Sequence, residues 1–361
     1  MKLLTQPGAG VKPLLEGIDQ AKKSVEIVIF RFDRTDVEKA LVRAVERGVF
    51  VHALIAYTNR GGEKNLRQLE MRLLAKGVTV ARTADDLVRY HSKFLIIDSR
   101  ELYVLAFNFT YLDMEHSRSF AVITGDEKLV EEASKLFEAD TKRQKYEAGR
   151  PHFVVSPVNA RKELSAFIKA AEKTLIIYDP KIGDPAILKL LTERVKAGVA
   201  VRIIGKVSSR CKLDSRELLP MRLHTRSMVR DGEHVFLGSQ SLRTAELETR
   251  REVGLIFRDE KIAASITKTF EEDWTASDSA AGDTDQAEVG TPLAKAAKRV
   301  AKVLTRASSI EKVVKDAVRE ITNGKTKLEI DPARLEQTVM DAVKEAVEES
   351  VRDAVQEVND H

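Results

Sequence analysis

Two stretches of this chain are copies of one another. Residues 6–57 and 156–207 align without a gap at a constant offset of 150. Pro7 falls on Pro157, and Ala21-Lys-Lys-Ser falls on Ala171-Glu-Lys-Thr. The apolar run 25–30 (VEIVIF) meets 175–179 (LIIYD), and 41–51 (LVRAVERGVFV) meets 191–201 (LTERVKAGVAV). Each copy reads as helix, strand, helix, a glycine and a further strand, the last at 49–56 and 199–204. Gly48 and Gly198 stand where a helix C-terminus takes a left-handed residue. Strands alternating with helices imply βαβ units, so the chain is expected to fold as two homologous α/β halves.

A polar motif follows each copy. Residues 91–98 read HSKFLIID and residues 224–231 read HTRSMVRD. The first histidine lies forty-three residues after Gly48 and the second twenty-six after Gly198. The difference falls in the connecting segment, where the first half carries an extra polar helix at 61–76. Side chains two apart on a strand share a face, so His91 and Lys93 point the same way. Asp98 is seven positions on and faces the other side of an unbroken strand. An imidazole beside a fixed cation suits a phosphate ester: the ring attacks phosphorus or carries a proton, and the cation holds the anionic oxygens. Fourteen residues after each histidine comes a second signature, Leu105-Ala-Phe-Asn-Phe-Thr and Gly238-Ser-Gln-Ser-Leu-Arg. Arg118-Ser-Phe-Ala-Val-Ile then pairs with Arg251-Glu-Val-Gly-Leu-Ile.

These strings resemble the phospholipase D superfamily, defined by His-x-Lys-x4-Asp followed by Gly-Ser-x-Asn. Within it the chain is similar to bacterial phospholipase D-like and cardiolipin-synthase-like proteins over about residues 5–274. The resemblance implies a mixed sheet with flanking helices in each half, and a pseudo-twofold that brings both histidines into one cleft. It implies phosphodiester cleavage by two displacements through a phosphohistidine, with His91, Lys93, Asp98, His224, Arg226, Asp231 and Glu252 as the catalytic set. Lys93, Asn108, Arg226, Ser239 and Ser241 would hold the substrate phosphate. The halves depart from the pattern in different ways. Arg226 replaces lysine with a longer, planar cation. Half one has Leu105 and Ala106 for Gly-Ser but keeps Asn108, and half two keeps Gly238 and Ser239 but has Ser241 for Asn. Glu252 in half two would reach across to His91. The corresponding residue for His224 is Ser119, which brings no charge. The pattern therefore assigns His91 as nucleophile and His224 as general acid and base.

The rest of the chain bounds this reading. Its 361 residues divide as half one (1–150), half two (151–274), a small, acidic, aromatic-free linker (275–292) and a helical tail (293–361). In the tail, residues 291–330 hold ten Lys and Arg against four acids, and 331–361 hold three against nine. An antiparallel hairpin pairing its own charges, or an oligomerisation element, is expected there. The formal charge of +4 does not by itself call for nucleic acid, and the 6% aromatic content is poor for stacking on single strands. Cys211 is the only cysteine, so no disulfide framework is expected. No cofactor is implied, and no histidine or carboxylate cluster has metal-ligand spacing. His52, His116, His152, His234 and His361 lack motif context and are expected to be structural or on the surface. The Gly8-Ala-Gly10 and Gly61-Gly62 pairs read as turns. With no signal peptide and no apolar run of membrane-spanning length, a cytoplasmic protein is expected, any membrane contact being peripheral. The leading expectation is hydrolysis or phosphatidyl transfer on a phospholipid. The alternatives are a nuclease of the same superfamily and a phosphate-binding pseudoenzyme.

Overall fold

The computed structural model describes residues 1–57, 63–207 and 211–283. Half one runs β1 (Lys2–Gln6), α1 (Lys12–Gln20), β2 (Ser24–Ile29), α2 (Thr35–Glu46), β3 (Phe50–Ile55), α3 (Glu63–Ala75) and β4 (Thr79–Arg82). It continues with β5 (Arg89–Tyr90), β6 (Phe94–Ile97), β7 (Glu101–Leu105), α4 (Tyr111–Glu115), β8 (Ser117–Thr124) and α5 (Glu127–Thr141). Half two repeats the order as β9 (Phe153–Ser156), α6 (Ala160–Lys169), β10 (Thr174–Lys181), α7 (Pro185–Lys196), β11 (Ala200–Lys206), β12 (Asp214–Arg216) and β13 (Arg222–Leu223). It closes with β14 (Arg226–Arg230), β15 (His234–Gly238), α8 (Thr244–Glu248), β16 (Arg250–Arg258) and α9 (Glu260–Asp283).

Each half builds a mixed sheet, in the orders β1-β8-β7-β6-β2-β3-β4 and β12-β11-β10-β14-β15-β16-β5. The first copy of the repeat supplies the parallel pair β2 and β3, β4 extends it in parallel beside β3, and the motif strand β6 joins β2 antiparallel. Because both faces of these strands are covered, they read as nearly continuous apolar runs. Along β2, Val25, Ile27 and Ile29 turn outward under α1 and α2, joining Leu14, Ile18, Val37 and Leu41 in one core. Leu164, Ile168, Ile187 and Leu191 cover the outer face of the second sheet in the same way. The inner faces meet each other: Val28, Ile96 and Val104 share a single core with Tyr178, Val229 and Leu237, flanked by Phe137 of α5 and Phe270 of α9. The helix ends follow the local rules. Gly48 and Gly198 take φ of +83° and +91° after α2 and α7, and the carboxylates of Asp126 and Asp184 cap α5 and α7.

One boundary moves. The last helix runs unbroken to Asp283, and the Trp274 ring stacks on Phe270 within the core at 5.5 Å. Residues 275–283 are thus helix, not the start of a linker; small Ala, Ser and Asp residues sustain a helix already nucleated by a buried face. The remainder of the linker, the tail 293–361, His361 and the Gly61-Gly62 turn lie outside the described residues. Among the described residues no helix is long and apolar enough to cross a membrane.

Candidate active site

The segment that bears each histidine is held against the sheet of the opposite half. Just before His91, the two-residue strand β5 leaves its own sheet and pairs in parallel with Arg250 and Arg251 of β16. Just before His224, β13 pairs in parallel with Ser117 and Arg118 of β8. The backbone N–H of His91 donates to Arg251 O at 2.7 Å, and those of His224 and Thr225 both donate to Arg118 O at 3.0 Å. Behind each crossing stands an ion pair between halves. Arg251 meets Asp140 of α5 at 3.1 Å, and Arg118 forks onto Asp273 of α9 at 2.7 and 2.9 Å. Residues 91–93 are therefore the extended connection between the sheets, and the motif strand proper begins at Phe94.

His91 is 7% exposed and His224 6%. The Nδ1 of His91 lies 2.8 Å from Glu252 Oε2, a contact between halves. Phe30 stands edge-on to the ring at 4.5 Å between centroids. Lys93 Nζ lies 2.9 and 2.8 Å from the two ring nitrogens, and burial, the largest cause, pushes its ammonium well below the usual lysine pKa against the pull of Glu252. Burial, then Lys93, Arg226, Arg89 and Arg250, push the imidazole well below its usual pKa and keep it neutral. Burial pushes the Glu252 carboxyl up to about 7, against the pull of Lys93.

His224 has a partner that the motif did not reveal. Asp113, 2% exposed on the short helix α4 of half one, brings Oδ2 within 3.6 Å of His224 Nδ1. This corrects the expectation that His224 faces only Ser119. Burial alone would raise the Asp113 carboxyl, but His224, Arg222 and the Asn108 N–H outweigh it and hold it well below the usual carboxylate range. His224 itself is pushed down by burial, then pulled up by Asp113 and down again by Arg222, Arg226 and Lys93. Lys93 and Arg226 thus lower the pKa of both rings. A repeat alignment carried past the motifs would have found Asp113: it lies twenty-two residues after His91, and the buried acid Glu246 lies twenty-two after His224.

The other expected site residues divide. Asn108 is buried beside Asp113, to which its Nδ2 donates at 2.7 Å, and its Oδ1 has no protein partner among the described residues. Asp98 and Asp231 are not in the site. The motif strand ends before each of them, at φ +53° and +52°, and their carboxylates clasp the turn that opens the neighbouring strand. Asp98 accepts from the N–H groups of Lys22, Lys23 and Ser24, and Asp231 from those of Glu172, Lys173 and Thr174. The two serines are also committed to the protein. Ser239 Oγ accepts Val253 N–H, and Ser241 Oγ accepts Arg226 Nε–H and donates to Asp179. A hydroxyl has one proton, so Ser241 has none left for a phosphate oxygen. Among the described residues no group of three or more His, Cys, Asp or Glu is placed to hold a metal ion.

The family model for the phospholipase D-like domain of cardiolipin synthase matches residues 14–141 and, a second time, 164–274. The chain belongs to this phospholipase D-like family, with one family domain in each half. Among curated relatives it is similar to the mitochondrial cardiolipin hydrolase of Danio rerio, 28% identical over 130 residues. That match takes in 35% of this chain and 56% of the relative, so the chain spans little more than half of it. Two solved structures share the fold over 76% of this chain. Phosphatidylserine synthase of Haemophilus influenzae does so at TM-score 0.58 and 11% identity over 86% of its length. Polyphosphate kinase of Porphyromonas gingivalis does so at TM-score 0.62 and 17% identity over half of its length.

Proposed function

We propose that the protein is a phosphodiesterase that cleaves or transfers the phosphatidyl group of a phospholipid through a phosphohistidine on His91. One observation carries this reading: two buried histidines, one from each half, each face a carboxylate of the other half, Glu252 Oε2 at 2.8 Å from His91 Nδ1 and Asp113 Oδ2 at 3.6 Å from His224 Nδ1. Neutral His91, its Nδ1–H directed at Glu252, attacks phosphorus through the Nε2 lone pair. The bond from phosphorus to the alcohol oxygen breaks, and that oxygen takes its proton from His224. His224 then removes a proton from water or an acceptor alcohol, whose oxygen attacks phosphorus; the P–N bond breaks and restores His91. Lys93 and Arg226 hold the charge on the non-bridging oxygens. The free-site cations disfavour a charged His224. A bound phosphodiester anion offsets them, so His224 gains its proton as substrate arrives. The lipid assignment is supported by membership of a family described from cardiolipin synthase and by likeness to a cardiolipin hydrolase.

The test is a substrate panel: bis(p-nitrophenyl) phosphate, vesicles of cardiolipin, phosphatidylglycerol or phosphatidylcholine, and labelled single- and double-stranded DNA, each with and without excess EDTA. The expected result is turnover of the aryl diester and of at least one lipid, undiminished by chelator. A rate that collapses with EDTA and returns with magnesium or zinc overturns the mechanism, and cleavage of DNA alone overturns the lipid assignment.

A further inference from the structure

Three positions change together between the halves. Half one has Ile29, Lys93 and Asn108 where half two has Asp179, Arg226 and Ser241. In half two these residues form a chain of contacts. Arg226 Nε–H donates to Ser241 Oγ at 3.2 Å, and Ser241 Oγ–H donates to Asp179 Oδ1 at 2.9 Å. Asp179 also accepts the backbone N–H groups of Lys181 at 2.9 Å and Leu242 at 2.6 Å. The second fixed point of the guanidinium is Nη1–H to His224 O at 2.6 Å.

We propose that Asp179, acting through Ser241, is a positioning residue that fixes Arg226 as the phosphate-binding fork of half two, an inference that rests on the phosphodiesterase reading above. A lysine grips phosphate as a point charge from many directions, whereas a guanidinium must present its plane correctly to make two bonds at once. With Nε and one Nη1 proton committed, Nη2 and the second Nη1 proton remain for a phosphoryl group. The anchor is itself rigid. Asp179 is 1% exposed, and Gly205 of β11, at φ +145°, approaches so closely that a Cβ there would come within 1.7 Å of Asp179 O. The β10–β11 register shifts at this point, between Tyr178 and Lys181. Burial pushes the Asp179 carboxyl up to about 6, so it is anionic at neutral pH and supplies the largest opposing charge to the half-buried Arg226.

The experiment uses the full chain with D179N, S241A and R226K, and with D179N and S241A each combined with R226K. Inorganic phosphate binding is read by titration calorimetry, and KM and kcat on bis(p-nitrophenyl) phosphate. The expected result is that D179N and S241A each weaken phosphate binding and raise KM about tenfold, the scale of a hydrogen bond to a charged group. Effects on kcat are expected to stay under about threefold, and both substitutions to lose their effect in the R226K background. Unchanged phosphate affinity in properly folded S241A, or equal losses with and without R226K, overturns the proposal. Because S241A removes a single hydroxyl, it carries the test should D179N fail to fold. If the wild type turns over no phosphodiester yet phosphate binding follows this pattern, the enzymatic reading fails and the Asp179–Ser241–Arg226 assignment stands.

Discussion

His91 and His224 sit in one field of charge, and what separates them is the acid behind each. Glu252 is a carboxyl raised to about 7 and in direct contact with Nδ1, which suits a neutral ring that must become positive on attack. Asp113 stays anionic and favours a protonated ring, which suits a proton donor. H91A should therefore abolish the phosphoryl-enzyme. H224A should still load from an activated aryl ester but slow by 10²-fold or more with a poor leaving group. Peptide mapping without acid exposure decides the matter, and an adduct on His224 reverses the roles. Asp98 and Asp231 have a different expectation. D98A and D231A remove the acceptor of three backbone N–H groups each, so each should cost about 1–2 kcal/mol in denaturant unfolding. Each should also leave kcat within a few-fold, and a loss comparable to that of H91A would put the aspartates back in the chemistry. At this scale the sequence was partly legible. The period-two rule already turned Asp98 away from His91; only the family pattern had placed it in the catalytic set. Asp113 was hidden because a carboxylate in a five-residue helical turn looks like any solvated acid. Asp179 stood in plain view at the end of the apolar run 175–179.

The elements of each half were legible because the repeat showed them twice, with glycines marking the helix ends. The short strands β5 and β13 were not. Two residues show no periodicity, and the partner of β5 lies about 160 positions away, beyond any local pattern. These crossings are held by ion pairs between elements of different halves, Arg251 with Asp140 and Arg118 with Asp273, the latter joined by the Tyr178 hydroxyl at 2.6 Å. Burial pushes the Asp140 carboxyl up to about 6, above its unfolded value, even beside Arg251. A carboxyl raised in this way favours the fold when protonated. Its contribution is full below about pH 4 and is lost as pH rises through 6. D140N should therefore gain on the wild type as pH rises from 4 to 7, by on the order of 2–3 kcal/mol in chemical denaturation, and level off above. A difference independent of pH would show that Asp140 is ionised throughout.

At the scale of the whole molecule, residues 1–283 form one compact unit. The helix bearing Phe270 and Trp274 closes its inner core, so the boundary that matters is Asp283. A chain cut after Asp283 should fold with a melting temperature near that of the full chain and keep its activity on a soluble diester. One cut after Ile266 should not, because it removes Phe270, Asp273 and Trp274. A folded but inactive 1–283 chain would assign the chemistry in part to residues 284–361. The exchange of β5 and β13 between the sheets has a further consequence, in time. Glu252, which steadies His91, is made 161 residues after it. On the ribosome, the first half can complete its own α/β layers while the connection bearing its histidine still has no neighbouring strand. On the proposed reading, the nascent chain would lack the carboxylate that steadies His91 until β16 has emerged, so its reactivity would begin with its assembly.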